Sequence, residues 1–169
     1  LRLVGSEMCI RDRALDAGIL MSDCRIYSNA GENHFMTKRF DRIHGKKVHM
    51  QSLGAMAHIS YKEPRLCSYE MAAGYMREIY LPMKDIEQFY SRMVFNCVAV
   101  NQDDHVKNIS FLMNRSGEWR LSPAYDVTYS YDVTNKWLSA HQMTINGKKS
   151  NINLTDLLAA GENMGLKKK

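Results

Sequence analysis

No apolar run in this chain approaches the 18 or more residues that a membrane span requires, and the opening residues lack the apolar stretch of a signal peptide. The expected setting is therefore cytoplasmic, with no membrane partner. Paired metal spacings are missing too. The four cysteines, at positions 9, 24, 67 and 97, show no CxxC pattern and sit mostly within apolar runs, as reduced buried thiols do. His34, His44, His49, His58 and His141 fall into no HExxH or closely paired arrangement, which argues against a zinc centre. There is no internal repeat and no low-complexity linker. Blocks of one charge are scarce as well: 23 basic against 18 acidic residues give a net charge of +5, scattered apart from the three lysines at 167–169. That balance tolerates a small polyanion but gives little support to a dedicated nucleic-acid binder.

What is present suffices for one domain. A chain of 169 residues that is 45% hydrophobic can bury a single core and cannot hold two full domains. Residues 1–13 show no clear helix or strand period and resemble a translated sequencing adapter. They are set apart here as a non-native leader expected to pack poorly, and 14–169 is taken as the domain. From Ala14 to Gly18 the chain reads as the tail of a helix closed by glycine.

Alternation over Cys24 to Ser28 and His34 to Phe40, with turn residues between, predicts a hairpin at a sheet edge. The clearest helical signal runs from Lys84 to Val100. There Ile86, Phe89, Tyr90, Met93, Val94, Cys97 and Val98 recur at three- and four-residue steps, and Asp85 with Gln88 has the spacing of a capping box. Such a stripe contributes on the order of 10 kcal/mol of gross burial before entropy is subtracted, which makes this helix the expected centre of the core. Tyr69 to Tyr80 predicts a second helix capped by Ser68, with Met71, Ala72, Tyr75, Met76 and Ile79 inward. Gln51 to Ala57 predicts a short helix. A last helix is expected over Leu154 to Met164, with Leu154, Leu157 and Leu158 inward. Ile109 to Met113 and Glu118 to Leu121 read as strands joined by the turn Asn114-Arg-Ser-Gly117. The whole is one largely helical lobe with small hairpins.

The chemistry concentrates just past the central helix, in Asn101-Gln-Asp-Asp-His-Val-Lys-Asn108, and again after the hairpin in Leu121-Ser-Pro-Ala-Tyr-Asp126. An Asp, an Asn five positions on and a further Asp beyond a chain reversal are the polar groups a phosphoryl-transfer site uses. Asp103 would accept the proton of an attacking hydroxyl. Asn108 and Asp126 would hold magnesium, which needs only one or two protein oxygens beside water and phosphate. Lys107 and His105 would offset phosphate charge or orient Asp103. Each of these alone has a plainer reading as a solvated turn, a loop histidine or a surface lysine; the combination is what points to catalysis.

These motifs, together with Phe35-Met-Thr-Lys-Arg-Phe-Asp-Arg42, resemble the C-terminal part of HipA-type serine/threonine kinases, the toxin component of bacterial toxin–antitoxin pairs. The resemblance runs from about Ala14 to the end and rests on three motifs in the same order. It implies an α+β, protein-kinase-like fold made up mainly of the helical C-lobe, with a hinge hairpin, a small catalytic hairpin and no N-lobe. By the same resemblance Asp103 is the base, Asn108 and Asp126 are the metal ligands, and Lys38, Arg39 and Phe40 form the hinge that meets adenine. His105, Val106, Lys107, Asn108, Tyr125 and Asp126 line the nucleotide. The implied cofactors are ATP and Mg2+, the substrate a Ser or Thr of a protein, and the partner a helix-turn-helix antitoxin through which DNA is met only indirectly. Nothing here matches the family's glycine-rich phosphate loop, its N-lobe lysine or its regulatory serine, and Val127-Thr128 stand where a typical protein kinase has Phe-Gly. The fragment is therefore expected to be weakly active or inactive alone.

Two other functions compete. A metal-dependent phosphoesterase would use Asp103-Asp104-His105 but needs further His and Asp ligands, and no second cluster is evident. A non-catalytic kinase-like module would dock an antitoxin and perform no chemistry.

Overall fold

The computed structural model describes residues 2–167. The first departure from expectation comes at once: Arg2–Asp16 forms one continuous helix, α1. Ile10 and Ala14, four residues apart, are both buried, and Ala14 packs with Ile19 and Ala124 in a small apolar cluster bordered by Met21, Phe95 and Val127. A single i, i+4 pair supplies this anchor, which is too little to register as a period along the sequence. The helix closes as expected at Gly18, whose φ of +76° suits glycine, with the Ile19 amide donating to the Ala14 carbonyl at 2.9 Å.

The predicted hairpin pairs β1 (Cys24–Asn29) with β2 (Glu32–Thr37), antiparallel, around Ala30 and Gly31, both at positive φ. It stands as its own two-stranded sheet, in contact with α1. A second, shorter hairpin, β3 (Arg42–Ile43) with β4 (Lys46–Lys47), follows it.

A three-stranded antiparallel sheet supports the site. Its order is β5 (His49–Ser52), β6 (Ser110–Met113), β7 (Trp119–Leu121). Gln51 and Ser52, expected in a helix, close β5 by pairing with Phe111 and Ser110. The helix itself is the single turn α2 (Leu53–Met56), capped by Ser52. Pairing with a distant strand overrides the local helical signal here.

Helix α3 (Tyr69–Glu78) is capped by Ser68, whose hydroxyl accepts from the Met71 amide at 3.0 Å, as the sequence predicts. Helix α4 (Met83–Val98) is the central element: Ile86, Phe89 and Met93 are almost fully buried, and each such side chain contributes about 1.5–3 kcal/mol of burial. Val98, expected on that stripe, is 75% exposed at the last position of the helix, while its neighbour Cys97 still packs against the core. No capping box forms at Asp85. Pro82 is the N-cap, and the Asp85 carboxylate instead grips the Arg120 guanidinium through two bonds of 2.7 Å and accepts from the Leu121 amide at 3.0 Å. Gln88 spans to the segment after α1, accepting from the Leu20 amide and donating to the Gly18 carbonyl.

Helix α5 (Leu154–Asn163) does carry a capping box, built by Asn153 and Asp156. Its inward face is Ala160 and Gly161, with Leu157 half-buried, while Leu154 is 70% exposed. Gly161 sits against the Tyr90 ring at a distance that leaves little room for a side chain, so the small residues approach α4, Leu157 packs at the core margin, and Leu154 and Leu158 turn outward. Met71 of α3, expected inward, is likewise exposed. Among the described residues no helix is long and apolar enough to cross a membrane.

Candidate functional site

The loop from Asn101 to Asn108 is held at both ends. It begins where Val100, a β-branched residue, adopts a left-handed φ of +54°, a conformation that costs on the order of 1–3 kcal/mol and persists only where its surroundings enforce it. The Asn101 amide donating to Asn96 (2.9 Å) and the Ser130 amide donating to the Val100 carbonyl (3.1 Å) do so. At its far end the loop docks on α2: the Leu53 and Gly54 amides donate to the carbonyls of Ile109 and Val106. Gly54 is required by that approach, since a Cβ there would stand 2.9 Å from Val106 Cγ2 and 3.1 Å from the Ile59 carbonyl oxygen.

Asp103 and Asn108 are tied directly. The Asn108 side-chain amide donates to the Asp103 carbonyl at 3.0 Å, which leaves the Asn108 Oδ1 to accept elsewhere. The Asp103 carboxyl is half-buried, 3.8 Å from His105 Nε2. Burial pushes its pKa above the ordinary carboxylate value; His105 opposes the shift, and the charges of Asp126 and Asp104 add to it. That influence of Asp126 brings the two carboxylates into one electrostatic neighbourhood. Asp126 is exposed and in the left-handed region, at φ +55°.

Asp126 and Asn108 line a common open cleft of about 610 Å³, with Asp41, His105, Lys107 and Tyr125. Tyr125 closes one side, its hydroxyl donating to the Lys107 carbonyl at 2.6 Å and hydrogen-bonded to Ser110, its ring 5.6 Å from that of Phe40. Beneath Asp126, the buried Arg92 of α4 donates to the Ser122 carbonyl at 2.6 Å. Burial draws its pKa down to about 10 despite the charges of Asp85 and Tyr125.

The remaining sequence expectations divide. Phe40 reaches the cleft margin through Tyr125. Lys38 and Arg39 turn their side chains to other partners, Lys38 to Asp23 at 3.9 Å and Arg39 to Asp41 at 2.6 Å, and the Lys38 amide donates to the Asp23 carbonyl at 2.8 Å. Val106, expected on the nucleotide, is buried and wedged against Gly54, a packing residue. Lys107 lies over the Tyr61 ring, 3.6 Å from its centroid, and His105 meets the same ring edge-on at 6.0 Å. Tyr61 has no role expected from the sequence; Asp41, which lies in the Phe35–Arg42 motif without an expected role, gathers Arg39 and Arg42 at the cleft wall. The Asp-Arg pairing of Asp41 is adjacent in sequence and was available as a signal; Tyr61 offered none.

Among the described residues no group of three or more His, Cys, Asp or Glu could hold a metal ion. The oxygens of Asn108 and Asp126 are a different donor set, two hard ligands facing an open cleft. That fits magnesium, which retains water and phosphate for its other positions.

The fold is shared with known proteins. HipA of the Shewanella oneidensis MR-1 toxin–antitoxin system, solved with HipB and operator DNA, superposes with a TM-score of 0.80 at 21% identity over 98% of this chain and 44% of that one. The Helicobacter pylori proinflammatory kinase CtkA superposes with a TM-score of 0.65 at 14% identity over 95% of this chain and 70% of that one. The chain thus spans less than half the length of that HipA. No curated protein sequence matches it. At these identities the superpositions establish an α+β, kinase-like fold with small antiparallel sheets. The family follows from the sequence match to the HipA-like C-terminal domain over residues 2–169, and the chain belongs to that family.

Proposed function

We propose that this chain is the catalytic, helical lobe of a HipA-type kinase that transfers the γ-phosphoryl group of ATP to a Ser or Thr of a protein. The observation that carries the reading is the tie of Asp103, which feels the charge of Asp126, to Asn108, which lines a cleft with Asp126. In this reading the Asp103 carboxylate takes the proton from the substrate hydroxyl as its oxygen bonds to the γ-phosphorus. The bond from that phosphorus to the bridging oxygen breaks, and ADP leaves with the electron pair. A carboxylate whose pKa burial has raised is a better base for this than an exposed one. Asn108 Oδ1 and the Asp126 carboxylate would hold magnesium, which neutralises charge on the phosphates when bound. Lys107 and His105 face the same cleft and offset negative charge there. The backbone of 38–40 and the Phe40–Tyr125 ring pair form its adenine side.

HipA is longer than the part matched here, so the activity is proposed for a parent protein that also carries the family's glycine-rich phosphate loop and lysine. Positioning and charge stabilisation from those elements are not replaceable by the groups above. That HipA was solved with HipB and operator DNA supports an antitoxin of the HipB kind as partner, through which DNA would be met.

The test is transfer of labelled phosphate from ATP with magnesium by the parent protein. The expected result is Ser or Thr phosphorylation that Asp103→Ala abolishes. Full activity in that variant removes the assigned base. Nucleotide-independent antitoxin binding without any transfer would favour a non-catalytic docking module, and phosphate release from simple esters with manganese would favour a phosphoesterase.

A further inference from the structure

Next to Asp103 lies a second carboxylate that the phosphoryl-transfer reading leaves without a task. Asp104 is buried, its side chain 1% exposed. It accepts from the Tyr69 hydroxyl at 2.8 Å, from His141 Nδ1 at 2.8 Å and from the Gln142 backbone amide at 2.7 Å. The network continues on both sides. Asn96 of α4 donates to the Tyr69 oxygen (3.0 Å) and accepts from the Asn101 side chain (3.1 Å), so the first residue of the loop joins it too. Gln142 also accepts, through its carbonyl, the Arg65 amide at 2.7 Å. Asp104 is thus bound to α3, to α4 through Tyr69 and Asn96, and to the 141–142 segment.

We infer that Asp104 and His141 form a positioning anchor, which docks the 101–108 loop onto the 141–142 segment and so holds the neighbouring Asp103 at the cleft. Successive residues of a loop cannot move independently, and among the described residues the Asp103 carboxyl has no closer polar partner than His105 Nε2 at 3.8 Å. Its position is inherited from its neighbour on one side and from Asn108 on the other. Three donors converge on the Asp104 carboxylate, so its place is over-determined, whereas a carboxylate serving only solubility would face water. Burial lowers the His141 pKa, and the hydrogen bond to Asp104, with Cys97 beside it, more than reverses this and holds the ring at about 10, so both ring nitrogens carry protons at neutral pH.

This inference rests on the proposed kinase reading for its effect on rate, and on geometry alone for its effect on the loop. The experiment separates the two. Amide exchange is followed in this chain as His141→Ala and as Tyr69→Phe, the latter removing one hydroxyl while keeping the buried ring. Losing a hydrogen bond to a charged group is expected to speed exchange over 101–108 by roughly tenfold or more, with the amides of 86–93 in α4 unchanged. In the parent protein the same variants are expected to lower kcat by about 10²-fold with KM for ATP held. Asp104→Asn alone, which can donate to a neutral His141 and still accept from the Gln142 amide, is expected to keep most of the wild-type rate. Unchanged loop exchange, or equal acceleration throughout α4, overturns the anchor. So does a lowered melting temperature with wild-type kcat and loop exchange. A wild-type parent without any transfer defeats the kinase reading, and the exchange result still decides the anchor.

Discussion

The Asn108 side-chain amide donates to the Asp103 backbone carbonyl at 3.0 Å, so the proposed metal ligand and the proposed base are fixed by one hydrogen bond. Asn108→Asp keeps a ligand oxygen and replaces the donor with an acceptor that repels the Asp103 carbonyl. The expected outcome is a fall of at least about 10²-fold in transfer by the parent protein, with melting temperature within a few degrees of wild type. Titrating magnesium in the kinetic assay checks it, since a pure loss of metal binding would be rescued by excess ion.

Gly54→Ala places a methyl group 2.9 Å from Val106 Cγ2 and against the Ile59 carbonyl. Overpacking of this kind costs about 1–3 kcal/mol. Urea denaturation is expected to show that loss, and the loop amides of 105–108 are expected to shift in a proton–nitrogen NMR spectrum, because Val106 is the residue that must move.

His141 has a folded pKa raised from 6.5 to about 10. A group raised on folding contributes stability that is complete below its unfolded pKa and is lost as pH rises through the folded one. Stability should therefore decline from about pH 6.5 to about pH 10, and His141→Gln should flatten that slope. Chemical denaturation at a series of pH values measures it.

Asp156 shows the opposite sign. Its carboxylate receives the Lys148 ammonium at 2.9 Å, the Asn153 amide at 3.0 Å and the Asn146 side chain at 3.0 Å. Lys148 leads the causes that draw its pKa from 3.8 down to about 2. Its contribution is present above 3.8 and disappears as pH falls through about 2. Lys148→Met should make unfolding of α5 begin at higher pH in an acid titration followed by far-ultraviolet circular dichroism, and Asn153→Ala should cost about 1 kcal/mol through the lost cap.

Elements set by local rules were legible in the sequence. Ser68 capping α3, the stripe of Ile86, Phe89 and Met93, Gly18 closing α1 and the turn after Met113 each follow from spacing within one segment. What pairs across the chain was not. His49 to Ser52 lacks strand alternation and becomes a strand because β6 lies beside it. Asp85 has the right spacing for a cap and is claimed instead by Arg120, 35 residues away. In the site, the motif gave Asp103, Asn108 and Asp126 as a group, while Asp104 and His141, 37 residues apart, carry no mutual signal. Val106, inside the same string, is buried against Gly54, a contact that the string does not announce.

Asn108 and Asp126 are proposed to hold one divalent ion in the cleft they line, beside Asp103. Manganese, which broadens the NMR signals of nearby nuclei, reports this directly when titrated into the chain with a nucleotide. The prediction is broadening concentrated at residues 103–108 and 124–127 and abolished in Asp126→Asn. Broadening spread over other surface carboxylates, or unchanged in that variant, would contradict it.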